Sequence, residues 1–180
     1  VRKDQKSLIL NKIGQLRFDP ASTLLLSLQQ NEAHRMEHAV LVMLIAAGIG
    51  ADLKLGETEL ENLMIAATLH DIGELYMAPA TQANQERPDQ WRKIAGHTVI
   101  GEMVLQETTH FSKSVARAIG EHHERCSGFG YPRQLRDGDI SPIGKILQTA
   151  EMLSGHLGNP DCDPQRIDHA LKIAHGDFPR

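Results

Sequence analysis

Histidine and acidic residues that could bind a metal recur at separated points of this chain, so a fold that uses them must bring distant segments together. The set consists of His38, His70, Asp71, His97, His122, His123 and Glu151. The adjacent pair His70-Asp71 offers an imidazole and a carboxylate, which together can bind one metal ion and bridge to a second. The pattern therefore predicts a metal centre and, with it, metal-assisted hydrolysis.

The composition predicts a single helical domain. A chain of 180 residues is long enough for one well-buried core. Hydrophobic residues make up 41% and charged residues 23%, as in soluble globular proteins, while aromatic residues make up only 4%. Because Leu, Ala and Ile are frequent and aromatic residues are few, we expect helix-rich packing. The expected fold class is all-α, with one helical bundle over residues 1–180.

Charge and cysteine content narrow the expected partners and location. The formal net charge of −4 argues against a nucleic-acid polymer as partner. Two cysteines, Cys126 and Cys162, are too few for a disulfide framework and lack zinc-site spacing, which favours a reducing, cytoplasmic location. No apolar stretch approaches the roughly 20 residues that span a bilayer, so no membrane is expected. Because the chain begins with Val, a processed chain or a piece of a longer protein with an upstream sensory or receiver domain is expected.

Apolar residues at helical spacing predict the elements that carry these residues. Helices are expected in two N-terminal segments within residues 3–29, in a motif-bearing core of about 31–156, and in a C-terminal helix of about 164–175. Gly48 and Gly50 are expected to end the third helix. His70-Asp71 is expected near the end of the fourth helix, and Ser141-Pro142 is expected to open the helix that carries Glu151. Residues 76–89 and 126–132 are interpreted as loops.

Several motifs, in this order, resemble those of the HD-GYP family, a branch of the HD superfamily of metal-dependent phosphohydrolases. The matching segments are the helical histidine His38, then Leu69-His70-Asp71-Ile72-Gly73, His97-Thr98-Val99-Ile100-Gly101, His122-His123-Glu124-Arg125 and Gly130-Tyr131-Pro132. The order of all the motifs together is far more specific than any one of them.

The resemblance implies an all-helical bundle that binds two, sometimes three, iron or manganese ions and hydrolyses a cyclic dinucleotide such as cyclic di-GMP. The residues at its ligand positions are His38, His70, Asp71, His97, His122, His123 and Glu151. Asp71 lies at the bridging position and is the expected catalytic residue, which would orient a metal-bridged hydroxide. His34, one turn before His38, is a candidate ligand for a third metal. Tyr131 is a candidate substrate-binding residue, although it could simply shape a turn.

The chain also departs from the family pattern near the expected site. Glu74 replaces a Lys, so the sign of that charge is reversed and Glu74 is expected to modify the site; it is either a solvated or salt-bridged residue at a helix end or a new ligand. A carboxylate there would repel a phosphodiester unless a metal or a base neutralises it. Ser127, Phe129 and Glu151 replace the usual Asp, Ser and Asp, and the basic phosphate-binding stretch that commonly follows is missing.

Three functions remain open at this point. The first is a metal-dependent phosphodiesterase acting in signal transduction. The second is a signalling module that keeps the metal site but hydrolyses little, and acts by binding a ligand or another protein. The third is an HD phosphohydrolase for a mononucleotide or another small phosphate ester.

Overall fold

The computed structural model describes residues 3–29, 33–77 and 88–157, and over these ranges the regular elements are helices. The expected all-α fold class is confirmed. The expected C-terminal helix over residues 164–175 lies outside the described residues, as does most of the expected loop over residues 76–89. The α-helices are α1 Lys3–Gln15, α2 Pro20–Gln29, α3 Ala33–Asp52, α4 Glu57–Leu69, α5 Pro88–Thr108, α6 Lys113–Glu121 and α7 Pro142–Leu157.

Helix α4 lies at the centre of the bundle and packs against α3, α6 and α7. Its side chains are buried on nearly every side after the first turn, from Leu60 to Leu69. Each buried Leu or Met contributes about 1.5–3 kcal/mol by leaving water, so this helix anchors the core. The chain leaves the centre of the core at His70, which is itself fully buried. None of the described helices is long and apolar enough to cross a membrane.

Helix α3 does not end at Gly48 or Gly50, so that expectation is wrong. The helix continues to Asp52, and Gly50 lies inside it where α3 and α4 pack closely. A Cβ on Gly50 would lie 2.9 Å from Leu63 Cδ2 of α4. The helix is ended instead by Lys54, which adopts a left-handed conformation with φ of 58°. The backbone N–H of Leu55 then donates to the carbonyl of Gly50 at 3.0 Å, a common way to close a helix C-terminus.

A second close approach fixes the segment that follows α4. After Asp71 the chain forms a short 3-10 helix, Ile72–Tyr76, which packs against α5. A Cβ on Gly73 would lie 2.0 Å from the carbonyl oxygen of His97 and 2.8 Å from the backbone nitrogen of Gly101. Only glycine allows these backbones to touch, and their contact brings the segment containing Asp71 against the helix that carries His97.

Candidate metal centre

The helices bring together the side chains that the sequence predicts as metal ligands. His38 is on α3, His70 and Asp71 follow α4, His97 is on α5, His122 and His123 follow α6, and Glu151 is on α7. Two clusters result, each with potential ligand atoms within 4.8 Å of one another: His38, His70 and Asp71 form the first, and Asp71, His97, His122 and His123 form the second. His34 belongs to neither cluster, and its side chain is exposed.

Asp71 belongs to both clusters because its two carboxylate oxygens face different neighbours. Its Oδ2 lies 3.0 Å from His70 Nε2 and 3.7 Å from His38 Nε2. Its Oδ1 lies 3.4 Å from His97 Nε2 and 3.6 Å from His122 Nε2. This arrangement is compatible with a carboxylate shared by two cations. Burial alone would raise the pKa of Asp71, but His70 and His122 hold it well below its usual range.

Two buried histidines have their ring orientation fixed by the backbone. His70 Nδ1 lies 2.8 Å from the carbonyl oxygen of Ala67, and His122 Nδ1 lies 2.6 Å from that of Ile119. Because a carbonyl only accepts hydrogen bonds, each Nδ1 is the donor, and in the neutral ring Nε2 then carries a lone pair. This backbone contact is the usual way that a protein orients an imidazole ligand.

The donor atoms that face each other in the clusters fit cations. His70 Nε2 lies 3.2 Å from His38 Nε2, and His97 Nε2 lies 3.2 Å from His122 Nε2. Glu151 Oε2 is buried and accepts no hydrogen bond of good geometry, although His38 Nε2 and His70 Nε2 lie at 3.0 and 3.3 Å. Burial would raise the pKa of Glu151, but these two imidazoles lower it. Converging nitrogen lone pairs beside a buried carboxylate suit a divalent metal.

Tyr131 packs on a cluster histidine, an arrangement that the sequence did not reveal. Its ring stacks on His123 with centroids 4.7 Å apart and an interplanar angle of 23°. The backbone N–H of Tyr131 also donates to the carbonyl of His123 at 3.0 Å. Burial and the neighbouring imidazoles of His122 and His97 lower the pKa of His123 to about 2, so its ring is neutral and able to bind a metal.

Glu74 forms an ion pair with Arg35, a residue that sequence reasoning missed. The guanidinium of Arg35, on α3, donates to the Glu74 carboxylate, and the two side chains are 23% and 36% exposed. Burial and then the nearby Asp71 carboxylate raise the pKa of Glu74, while Arg35 opposes that shift. The spacing held a signal, since Arg35 precedes His38 by three residues and Glu74 follows Asp71 by three. The guanidinium of Arg35 thus neutralises the unusual carboxylate.

Two buried glutamates fix the elements around the clusters. Glu124 is 0% exposed and accepts hydrogen bonds from the backbone N–H groups of Arg133 at 2.6 Å and Leu135 at 2.9 Å, which ties down the Gly130-Tyr131-Pro132 loop. Glu121 accepts from the backbone N–H of Ser141 at 2.9 Å and so connects the end of α6 to the start of α7. Both carboxylates are structural, and the sequence motif alone did not assign them these contacts.

A cavity of about 590 Å³ opens beside the clusters. Its volume is within the usual range for sites that bind small molecules. Its lining combines three potential ligands with residues of the loop and of α7, among them His122, His123, Glu151, Arg125, Phe129 and Gln148. The cavity therefore connects the candidate metal centre to solvent. Its wall carries the guanidinium of Arg125 and the aromatic ring of Phe129.

Comparison with known proteins agrees with this geometry. Residues 23–176 match the family model described as HD domain. The chain is 33% identical over 128 residues to the 3'3'-cGAMP-specific phosphodiesterase 3 of Vibrio cholerae, and 26% identical over 145 residues to a cyclic di-GMP phosphodiesterase of Thermotoga maritima. These alignments cover 69% and 78% of this chain but only 28% and 39% of the relatives, so the chain spans well under half of their length.

A solved structure shares the fold. It is that of Bd1817, an HDG"Y"P protein from Bdellovibrio bacteriovorus, with a TM-score of 0.66 at 22% identity over 81% of this chain and 48% of that one. The matches show that the chain belongs to the HD domain family. Within that family, the resemblance of its motifs to HD-GYP proteins is confirmed.

Proposed function

We propose that the chain is a metal-dependent phosphodiesterase domain that hydrolyses a cyclic dinucleotide, with cyclic di-GMP as the favoured substrate. The observation that carries the proposal is that Asp71 is shared by two clusters of potential ligands. The names of its relatives, which act on cyclic di-GMP or on 3'3'-cGAMP, support this class of substrate. Their different substrates make both dinucleotides necessary in the test.

The residues divide between two cations. His38, His70 and Glu151 would hold one, and His97, His122 and His123 would hold the other, with Asp71 between them. Nitrogen and oxygen donors without thiolate suit iron or manganese, the metals that the family resemblance favours. When bound, a pair of divalent ions neutralises charge on the phosphate and activates the attacking water. His34 stays a candidate for a third ion.

The chain's own residues supply charge, orientation and access. The low pKa of Asp71 keeps its carboxylate charged at neutral pH, where it can accept a hydrogen bond from the attacking water. Tyr131 holds the ring of His123 by stacking and lines the cavity, where it could also contact substrate. Arg125 brings a guanidinium to the same cavity, a suitable partner for phosphate oxygens in a chain without the family's basic stretch.

Substitution of the shared carboxylate tests this mechanism. In Asp71→Ala we expect the loss of hydrolysis and of at least one equivalent of metal, because both clusters lose a ligand. Turnover of cyclic di-GMP and 3'3'-cGAMP, together with metal content after anaerobic purification, measures both effects. Asp4→Ala on α1 is the matched control, since Asp4 is exposed and belongs to neither cluster. Hydrolysis that persists in metal-loaded Asp71→Ala would remove the proposed role of Asp71.

A signalling module with little turnover is the second candidate, and one feature favours it. Glu74 stands where the family resemblance expects a Lys, and the guanidinium of Arg35 is paired with this carboxylate, so the pair does not replace the positive charge that would hold a substrate phosphate. A panel of cyclic di-GMP, 3'3'-cGAMP and a mononucleotide, offered to iron- or manganese-loaded protein, separates the candidates. Turnover of a dinucleotide excludes a purely non-catalytic role, while turnover of the mononucleotide alone indicates a phosphohydrolase for small esters.

A further inference from the structure

The side chain of Phe129 is 88% exposed, yet it lines the cavity that reaches the candidate metal centre. A single exposed apolar residue is ordinary on a protein surface and needs no explanation by itself. Phe129 differs because it shares one cavity with His123 and Glu151. An aromatic ring is therefore presented to whatever molecule occupies that cavity.

The backbone of the loop that carries Phe129 is held in place by its own contacts. Gly128 has a φ of +82°, a conformation that favours glycine, and its N–H donates to the carbonyl of Arg125 at 2.7 Å. A Cβ on Gly130 would lie 2.3 Å from the backbone nitrogen of Arg125, so Gly130 packs directly against the backbone of Arg125. The buried Glu124 secures the residues that follow. A preorganised loop loses little conformational entropy when a ligand binds.

The chemistry of the cavity selects the kind of group that would contact the ring. Cations held by the clusters at one end would bind a phosphate, and a phosphodiester between nucleosides carries a planar base a short distance from its phosphorus atom. Stacking on an aromatic side chain is a general way to bind a base, because every base has a π-face. The guanidinium of Arg125 in the same cavity adds N–H groups that can donate hydrogen bonds to the acceptors on a purine edge.

We propose that Phe129 is a platform on which a purine base of the substrate stacks, and that it determines affinity for nucleotide substrates. The inference rests on the proposed function and deepens it, since it names the part of the substrate that this loop contacts. Phe129 touches the base and takes no part in the chemical step, so its removal should weaken binding and leave the catalytic rate nearly unchanged.

The test compares Phe129→Ser, Phe129→Leu and Phe129→Trp in metal-loaded protein. Dissociation constants for a hydrolysis-resistant phosphorothioate analogue of cyclic di-GMP are measured by calorimetry, and KM and kcat are measured for cyclic di-GMP. We expect the Ser and Leu variants to bind the analogue roughly tenfold more weakly, the lower part of the range for loss of one stacked base, with kcat within about twofold. Phe129→Trp should bind at least as well as the parent.

Comparison of inhibition by GMP with inhibition by ribose 5-phosphate separates the contribution of the base to binding from that of the phosphate. Phe129→Ser should weaken GMP inhibition and leave that by ribose 5-phosphate unchanged. Leu24→Ser, on α2 and 62% exposed, is the control for loss of an exposed apolar side chain. If Phe129→Ser or Phe129→Leu binds the analogue like the parent, or if the parent binds no nucleotide, the platform is excluded. Weaker binding by these variants without turnover by the parent would support the platform and contradict the proposed catalysis.

Discussion

At the scale of single residues, the clearest departure of this chain from the family pattern is Glu74, which pairs with Arg35. The sequence shows a carboxylate three residues after Asp71, where it would repel an anionic substrate. The structure shows that a guanidinium from another helix neutralises it. The two residues therefore have to be considered as one unit. Neither charge, taken alone, predicts the effect of the pair on substrate binding.

Substitutions in this pair should be strongly non-additive. Arg35→Gln leaves the Glu74 carboxylate uncompensated beside Asp71, so we expect KM for cyclic di-GMP to rise roughly three- to tenfold, an effect on the order of 1 kcal/mol as for other partly exposed pairs. Glu74→Gln together with Arg35→Gln should recover most of the loss. Steady-state kinetics of the two single variants and the double variant give the coupling.

The control for this cycle is the Lys12–Glu57 pair, which joins α1 to α4 away from the clusters. Glu57→Gln should leave KM unchanged. If the double variant at positions 35 and 74 is as impaired as Arg35→Gln, then neutralisation of Glu74 is not what Arg35 contributes.

At the scale of elements, glycines decide how closely the ligand-bearing segments approach. Gly73 and Gly50 both lie where a Cβ would collide with a neighbouring segment, although only Gly73 belongs to the His-Asp motif. Gly48 has nothing within 4 Å of its would-be Cβ. Gly73 and Gly50 thus permit close packing whereas Gly48 does not, and the difference depends on their neighbours in space.

Alanine substitutions should reveal these roles through effects of opposite sign. Gly73→Ala would force the backbone of His97 or of Asp71 to move, so we expect a loss of about 1–3 kcal/mol in the free energy of unfolding and reduced metal content. Gly48→Ala, inside α3, should instead stabilise the protein by roughly 0.5–1 kcal/mol. Chemical denaturation and metal analysis measure the two effects. Normal metal content and stability in Gly73→Ala would show that the contact is not needed.

At the scale of the whole molecule, the candidate metal centre connects almost every helix of the core. Its potential ligands come from α3, α5 and α7 and from the ends of α4 and α6. An unfolded chain cannot hold these side chains together, so metal ions should bind far more tightly to the folded state. Metal binding would thereby also stabilise the fold.

Removal of metal should lower the melting temperature. A ligand at a hundred times its dissociation constant stabilises the folded state by about 2.7 kcal/mol. For a chain of this size that corresponds to roughly 5–10 °C in Tm, measured by thermal unfolding with and without a chelator. Asp71→Ala should show a much smaller difference between the two conditions. Metal that remains bound without changing Tm would contradict the placement of its ligands on separate core elements.

Much of this protein could be predicted from local sequence signals. The helical periodicity of the apolar residues predicts two helices within residues 3–29 and a helical core over about 31–156, and the types of the donor residues predict a site for hard or borderline metals. Both signals are local, because helix formation and ligand chemistry depend on a residue and its near neighbours. The assignment of individual ligands, the single-domain expectation and the identity of the metal stay predictions.

What only the tertiary structure decided depends on contacts between distant segments. Examples are the continuation of α3 through Gly50, the Arg35–Glu74 pair, and the exposure of Phe129 in the cavity next to the clusters. None of these follows from spacing, because each is fixed by the packing of one helix or loop against another. The sequence by itself determined which chemical groups are available, and the packing of the helices determined which of them meet.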